Sequence, residues 1–148
     1  MLRGMSITSQ DRVMTKVVFL GAGSVVFTRQ LIADLLRYDD LPRLTLALHD
    51  LNAERLEVAR GTAAQVSERL GRPIDVIATL DRREALDGAD FVVNMVQVGG
   101  IAATKIDLEI PARHGLRQTS GDTTGVGGIF RGLRTFPALS SFARDIRE

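Results

Sequence analysis

Two glycines and one aspartate carry the clearest chemical suggestion in this chain. Gly21-Ala22-Gly23-Ser24 directly joins an apolar run, Lys16-Val17-Val18-Phe19-Leu20, to a helical pattern. In such a turn the first glycine permits the tight bend, and the second lets a pyrophosphate approach the backbone. The helix N-terminus then offers free N–H groups and a partial positive charge to the phosphates. Asp50 closes the next apolar run, the place where an acidic side chain meets the ribose hydroxyls of an adenosine. That carboxylate would repel a 2′-phosphate, which favours NAD over NADP. The third glycine of G-x-G-x-x-G falls on Val26, a departure from the pattern. The alternative reading is a structural turn with Asp50 capping the next helix.

A second group lies farther along. Asn94 and Gln97 leave the carboxyl end of another apolar run, followed by Gly99-Gly100. Ligands of open α/β sheets bind at those strand ends. Both amides can hydrogen-bond a ribose or a nicotinamide, and the glycines allow close backbone approach. The alternative is a satisfied buried amide and a plain turn. No arginine occurs between Phe91 and Ala112. A 2-hydroxy acid substrate is therefore disfavoured, because its carboxylate wants a bidentate guanidinium.

The third group is compositional. Eight of the 14 glycines lie between Gly99 and Gly132, most of them in residues 114–135. Small residues opening a helix make an anion or polar-ligand site plausible, with Asp122 as a cleft carboxylate. The plainer reading has Asp122 capping the helix. Arg131 and Arg134 read as solvated helical arginines.

The elements that must position these groups follow from hydrophobic period. Residues 16–20, 44–48, 74–79 and 91–96 read as strands buried on both faces. Between them, Phe27, Leu31, Ile32, Leu35 and Leu36 share one helical face. Leu56, Ala59, Ala63, Val66 and Leu70 share another, between a cap at Asn52 and a stop at Gly71 and Pro73. Asp81-Arg82-Arg83-Glu84 reads as a capping box for a short helical turn. Strands alternating with helices predict an α/β fold: a Rossmann-like parallel sheet with flanking helices and right-handed crossovers. Helical features continue over 102–114. A last helix from about Gly127 places Ile129, Leu133, Phe136, Leu139 and Phe142 on one face, with Pro137 a candidate kink.

Composition removes other classes. The 148 residues carry 19 basic and 18 acidic side chains, a net charge of +1 with no charge block, so no nucleic-acid partner is expected. Cysteine is absent, which excludes a disulfide framework and a thiolate metal site within the chain. No apolar run approaches the ~18 residues needed to cross a bilayer, so no membrane partner is expected. Residues 1–14 lack a signal-peptide core and are expected to be a disordered leader. The default compartment is the cytoplasm, and 15–148 is expected to form one incomplete NAD-binding domain.

Taken together, the residues resemble glycoside hydrolase family 4, whose members stand apart from the two-carboxylate glycosidase mechanism. The resemblance rests on Val18 through Thr28, Asp90-Phe91-Val92-Val93-Asn94, Gln97-Val98-Gly99-Gly100 and the segment from Gly121 to Thr135. The α-galactosidase-like branch looks nearest, through His114-Gly115-Leu116-Arg117-Gln118-Thr119 and Gly121-Asp122-Thr123. The family fingerprint also lacks the third glycine, so Val26 fits it. The resemblance implies transient oxidation of the sugar at C3 by NAD⁺. The C2 proton then goes to a tyrosine base, the glycosidic oxygen leaves, water adds, and the hydride returns. A divalent metal, usually Mn²⁺, would polarise the sugar oxygens.

Carried over residue by residue, Gly21, Gly23, Ser24 and Asp50 match the NAD site. Asp122 matches an acidic position that raises the basicity of the tyrosine. Phospho-sugar members place an arginine near Thr104. An uncharged Thr104 implies an unphosphorylated hexoside, with Lys105 beside it. The departures are as informative. The family's metal-binding Cys and His, its general acid and its tyrosine base have no counterpart here. The one tyrosine, Tyr38, sits in the first helix, and neither His49 nor His114 matches the metal ligand. The chain is therefore expected to be the N-terminal part of a longer homo-oligomeric glycosidase, truncated before the remaining strands and the catalytic domain. By itself it should be inactive, with the metal held only by the full-length enzyme. The rival readings are a lactate/malate-type dehydrogenase and a non-enzymatic nucleotide-binding module.

Overall fold

A computed structural model describes residues 14–41, 43–119 and 124–148. The expected leader lies outside the described residues, except that Met14 already belongs to the first strand. The described chain forms two compact units, one ending at Met95 and the other running over Val96–Glu148.

In the first unit the order is β1 (Met14–Leu20), α1 (Val25–Leu36), β2 (Arg43–His49), α2 (Ala53–Leu70), β3 (Asp75–Thr79), α3 (Arg82–Leu86) and β4 (Phe91–Asn94). All strand pairs are parallel, in the spatial order β3-β2-β1-β4. The chain builds outward from β1 through β2 to β3, then returns to the other side of β1 for β4. In open α/β sheets such a reversal marks the ligand side at the carboxyl ends of the two strands, here β1 and β4. The register sets Leu20 opposite both His49 of β2 and Asn94 of β4.

Strand alternation decides the core. Val17 and Phe19 of β1 and Leu44, Leu46 and Leu48 of β2 face one way, against Ile32 and Leu36 of α1 and Leu56, Ala59, Ala63 and Val66 of α2. The predicted face of α2 is thus the buried one up to Val66, while Leu70 is partly exposed. Asn52 caps its start by accepting from the Arg55 N–H, and Gly71 ends it at φ 62°. The face of α1 differs from expectation. Phe27 is 62% exposed and Thr28 is fully buried. The row 28, 32, 36 points at the sheet, and 27, 31, 35 is the neighbouring row. Burying a threonine there costs little, because its hydroxyl donates to the Ala22 carbonyl at 2.7 Å.

Two further details depart from the pattern reading. Asp81 caps α3 as expected, accepting from the Arg83 and Glu84 N–H groups. Glu84 instead accepts from the Thr79 hydroxyl, and the Asp81 N–H also goes to Thr79, so the box closes through the strand end. β4 stops at Asn94 rather than residue 96, since the chain leaves the ladder once Met95 N–H has bonded to Leu20 O.

The second unit is a helix pair, α4 (Gly100–Arg113) and α5 (Val126–Arg147). The helices meet where Gly127 lies against the Asp107 carbonyl, a contact that leaves no room for a side chain at 127. The Arg134 guanidinium binds both Asp107 carboxylate oxygens, and its Nε donates to the Val98 carbonyl at 3.1 Å. Asp107 is only 6% exposed. The bond to Asp107 raises the Arg134 pKa further above its ordinary value. The expectation of a solvated Arg134 is thereby corrected: the helix phase turns it inward, where a buried carboxylate meets it. α5 continues through Pro137 as one helix.

Candidate functional site

The turn after β1 is tied to β2 before any ligand is considered. Gly21 holds φ 85°, a conformation that glycine adopts without steric cost. The Gly21 and Ala22 N–H groups both donate to the His49 carbonyl, at 2.9 and 3.0 Å. Thr28 ties the Ala22 carbonyl to α1 from the other side. α1 then starts at Val25 with Ser24 at its N-cap. The Ser24 side chain makes no capping bond, and the first turn carries no acidic residue. The first N–H groups of α1 thus lack the usual side-chain acceptor, and the positive end of the helix dipole is uncompensated by any carboxylate of that turn.

Asp50 stands one residue beyond β2. Its Oδ2 accepts from the Gly23 N–H at 2.8 Å and its Oδ1 from the Asn52 N–H at 3.0 Å. Each carboxylate oxygen has further acceptor capacity. The side chain is therefore held in one orientation with lone pairs to spare. The structure adds a second reason for glycine at 23. A Cβ there would lie 2.6 Å from Asp50 Oδ2 and 2.9 Å from the Arg55 Cβ. The close approach predicted for a pyrophosphate is already made by Asp50 and the first turn of α2.

Asn94 ends β4 beside Leu20, so it shares the carboxyl edge of the sheet with the Gly21 turn. Gln97 belongs to the other unit. Its Nε2 donates to Thr104 Oγ1 at 2.8 Å, and Thr104 Oγ1 donates to the Gly100 carbonyl at 3.3 Å. This fixes the amide of Gln97 through its Nε2. In the same unit Gln97, Thr104, Arg131, Thr135 and Phe136 line a cavity of about 320 Å³. Asp122 lies outside the described residues. Among the described residues no group of three His, Cys, Asp or Glu side chains could hold a metal ion. No helix among them is long and apolar enough to cross a membrane.

The parallel sheet, its reversal at β1 and the pinned Asp50 define a dinucleotide-type fold, and comparison with known proteins narrows it. The model of family 4 glycosyl hydrolases matches residues 16–148. The chain belongs to that family. It is similar to the α-galactosidase of Bacillus subtilis, 41% identical over 136 residues, which cover 91% of this chain and 32% of the relative. It is also similar to an α-galactosidase of Rhizobium meliloti, 39% identical over 133 residues, covering 90% and 27%. Among solved structures it superposes on a 6-phospho-α-glucosidase from gut microorganisms, crystallised in complex with NAD and glucose-6-phosphate, with a TM-score of 0.82. The two are 26% identical, covering 91% of this chain and 30% of that one. The chain thus spans about a third of the length of the relatives it matches.

Within this family 4 chain, sequence reasoning overlooked three contributors to the turn: the His49 carbonyl, Thr28 and Arg55. Thr28 was legible as the only polar residue on the row that ends in Ile32 and Leu36. Nothing in the sequence marks the other two, which act through a backbone oxygen and through the nearness of a Cβ.

Proposed function

We propose that this chain is the NAD-binding part of a family 4 glycosidase acting on unphosphorylated hexosides, α-galactosides foremost. The observation that carries the cofactor reading is the Asp50 carboxylate, held by two backbone N–H groups beside an uncapped helix start. Its spare lone pairs suit the 2′- and 3′-hydroxyls of an adenosine ribose, and the N–H groups opening α1 suit the pyrophosphate. When bound, NAD⁺ would supply reversible hydride acceptance. The residues of this chain would bind and orient it: Gly21 by shaping the turn, Gly23 and Asn52 by aiming Asp50, Ser24 at the phosphate end, Asn94 at the strand edge. Gln97 would offer its fixed amide to the nicotinamide or a sugar hydroxyl.

The substrate reading rests on the two α-galactosidases among the relatives and on the uncharged Thr104. We place Asp122 near the tyrosine base of the complete enzyme, and the divalent metal, Mn²⁺, on residues outside this chain. The complete protein would be a cytoplasmic homo-oligomer.

Calorimetric titration of the 148-residue chain with NAD⁺ tests the cofactor reading. Asp50→Ala is expected to weaken binding at least tenfold, since hydrogen bonds to a charged group are worth about 1.5–3 kcal/mol. Unchanged affinity removes Asp50 from the site. The same chain, given NAD⁺, Mn²⁺ and an aryl α-galactoside, is expected to show no turnover, and hydrolysis would refute the assignment of base and metal to missing residues.

A further inference from the structure

A carboxylate and the stem of an arginine crowd Gly23. Asp50 is bonded to its N–H, and the Arg55 Cβ lies so near that a Cβ on Gly23 would come within 2.9 Å of it. Arg55 is in the first turn of α2, where its own N–H is taken by the Asn52 cap. That position favours an anion, and a capping box would place Glu or Gln there. The arginine side chain is exposed, and its guanidinium makes no hydrogen bond or ion pair among the described residues. An arginine thus occupies a position of unfavourable sign for its own helix, its Cβ packed against the glycine whose N–H holds the carboxylate assigned to the ribose.

We infer that Arg55 is a specificity-determining residue for the dinucleotide, the latent receptor of a 2′-phosphate that Asp50 excludes. This rests on the NAD reading above. A 2′-phosphate would bring about two negative charges to the hydroxyls that Asp50 serves, and Asp50 repels it. The stem of Arg55 is rooted against the same glycine, and its planar guanidinium matches a phosphate in bidentate fashion. Coenzyme choice at this site is therefore a balance between two side chains that crowd the same glycine. Asp50 holds the advantage because its orientation is fixed by two backbone bonds, whereas Arg55 is untethered.

Titrations of NAD⁺ and NADP⁺ into four forms of the 148-residue chain test this: wild type, Asp50→Asn, Asp50→Asn/Arg55→Ala and Asp50→Asn/Arg55→Lys. Wild type is expected to prefer NAD⁺. Asp50→Asn should tighten NADP⁺ about tenfold or more, adding Arg55→Ala should abolish that gain, and Arg55→Lys should keep part of it. A gain that survives Arg55→Ala, or no gain in Asp50→Asn while wild type binds NAD⁺, overturns the inference alone. Wild type that binds neither dinucleotide overturns the NAD reading as well. Should Asp50→Asn fail to fold, Asp50→Ser with and without Arg55→Ala serves instead: Arg55→Ala should weaken NADP⁺ about tenfold in that background, and an unchanged NADP⁺ affinity overturns the inference.

Discussion

The two units of the chain are held by different physics. In the first, apolar residues of β1, β2, α1 and α2 close on one another, and the largest of them, Phe19, is fully buried. In the second, the helix pair is fixed by a backbone approach at Gly127 and by the Asp107–Arg134 pair. The apolar side chains Ile129, Leu133 and Phe136 of α5 remain more than half exposed. A hydrophobic pattern at helical spacing thus announces a face but not what the face meets. The first unit draws its stability from burial, the second from a few specific contacts.

Equal truncations in the two units should break that comparison most visibly. Phe19→Ala is expected to cost about 3–5 kcal/mol, whereas Phe136→Ala should stay within about 0.5 kcal/mol, as read by urea unfolding of the 148-residue chain. Similar losses from the two would mean that α5 is buried in solution. The next effect concerns the helix crossing. Gly127→Ala forces a methyl group into the Asp107 carbonyl and is expected to cost about 1–3 kcal/mol, seen as early melting of helical signal. An unchanged melt would show that α4 and α5 slide apart freely.

The smallest effect sharpens the first unit. His49 is 7% exposed, its Nδ1 has no hydrogen-bond partner among the described residues, and burial, then the Arg82 charge, lowers its pKa from 6.5. The folded imidazole therefore binds a proton less readily than the unfolded one. Acidification protonates the unfolded chain first, so this contribution is present in full above pH about 6.5 and declines below it. His49→Gln is expected to flatten the fall in melting temperature between about pH 7 and about pH 5.5. Parallel curves for the two proteins would remove His49 from the account.

Much of this was legible in the residues. The order of strands and helices followed from apolar runs bounded by glycine and proline, and the caps Asn52, Gly71 and Asp81 stand where their chemistry put them. Gly21 and Asp50 stand out by type and spacing, since a positive φ and a strand-end carboxylate each have a residue preference. The rest depended on contacts that spacing does not encode. Helix phase decided between Phe27 and Thr28, and a one-residue rotation exchanged them. Arg134 and Asp107 lie on different helices, so their pairing needed the crossing at Gly127. The second role of Gly23 appeared only when a side chain 27 positions away was seen touching it.

That contact has a consequence for variation. Position 23 can accept a methyl group only if the carboxylate at 50 withdraws and the first turn of α2 at Arg55 yields slightly, and the carboxylate can stay only while position 23 has none. In a library randomised at both positions and selected for folding, the two choices should not assort independently. Asp50 should be recovered with Gly23, and Gly23→Ala should emerge only in company with a shorter residue at 50. The turn and the strand end form one heritable unit, although neither is a neighbour of the other along the chain.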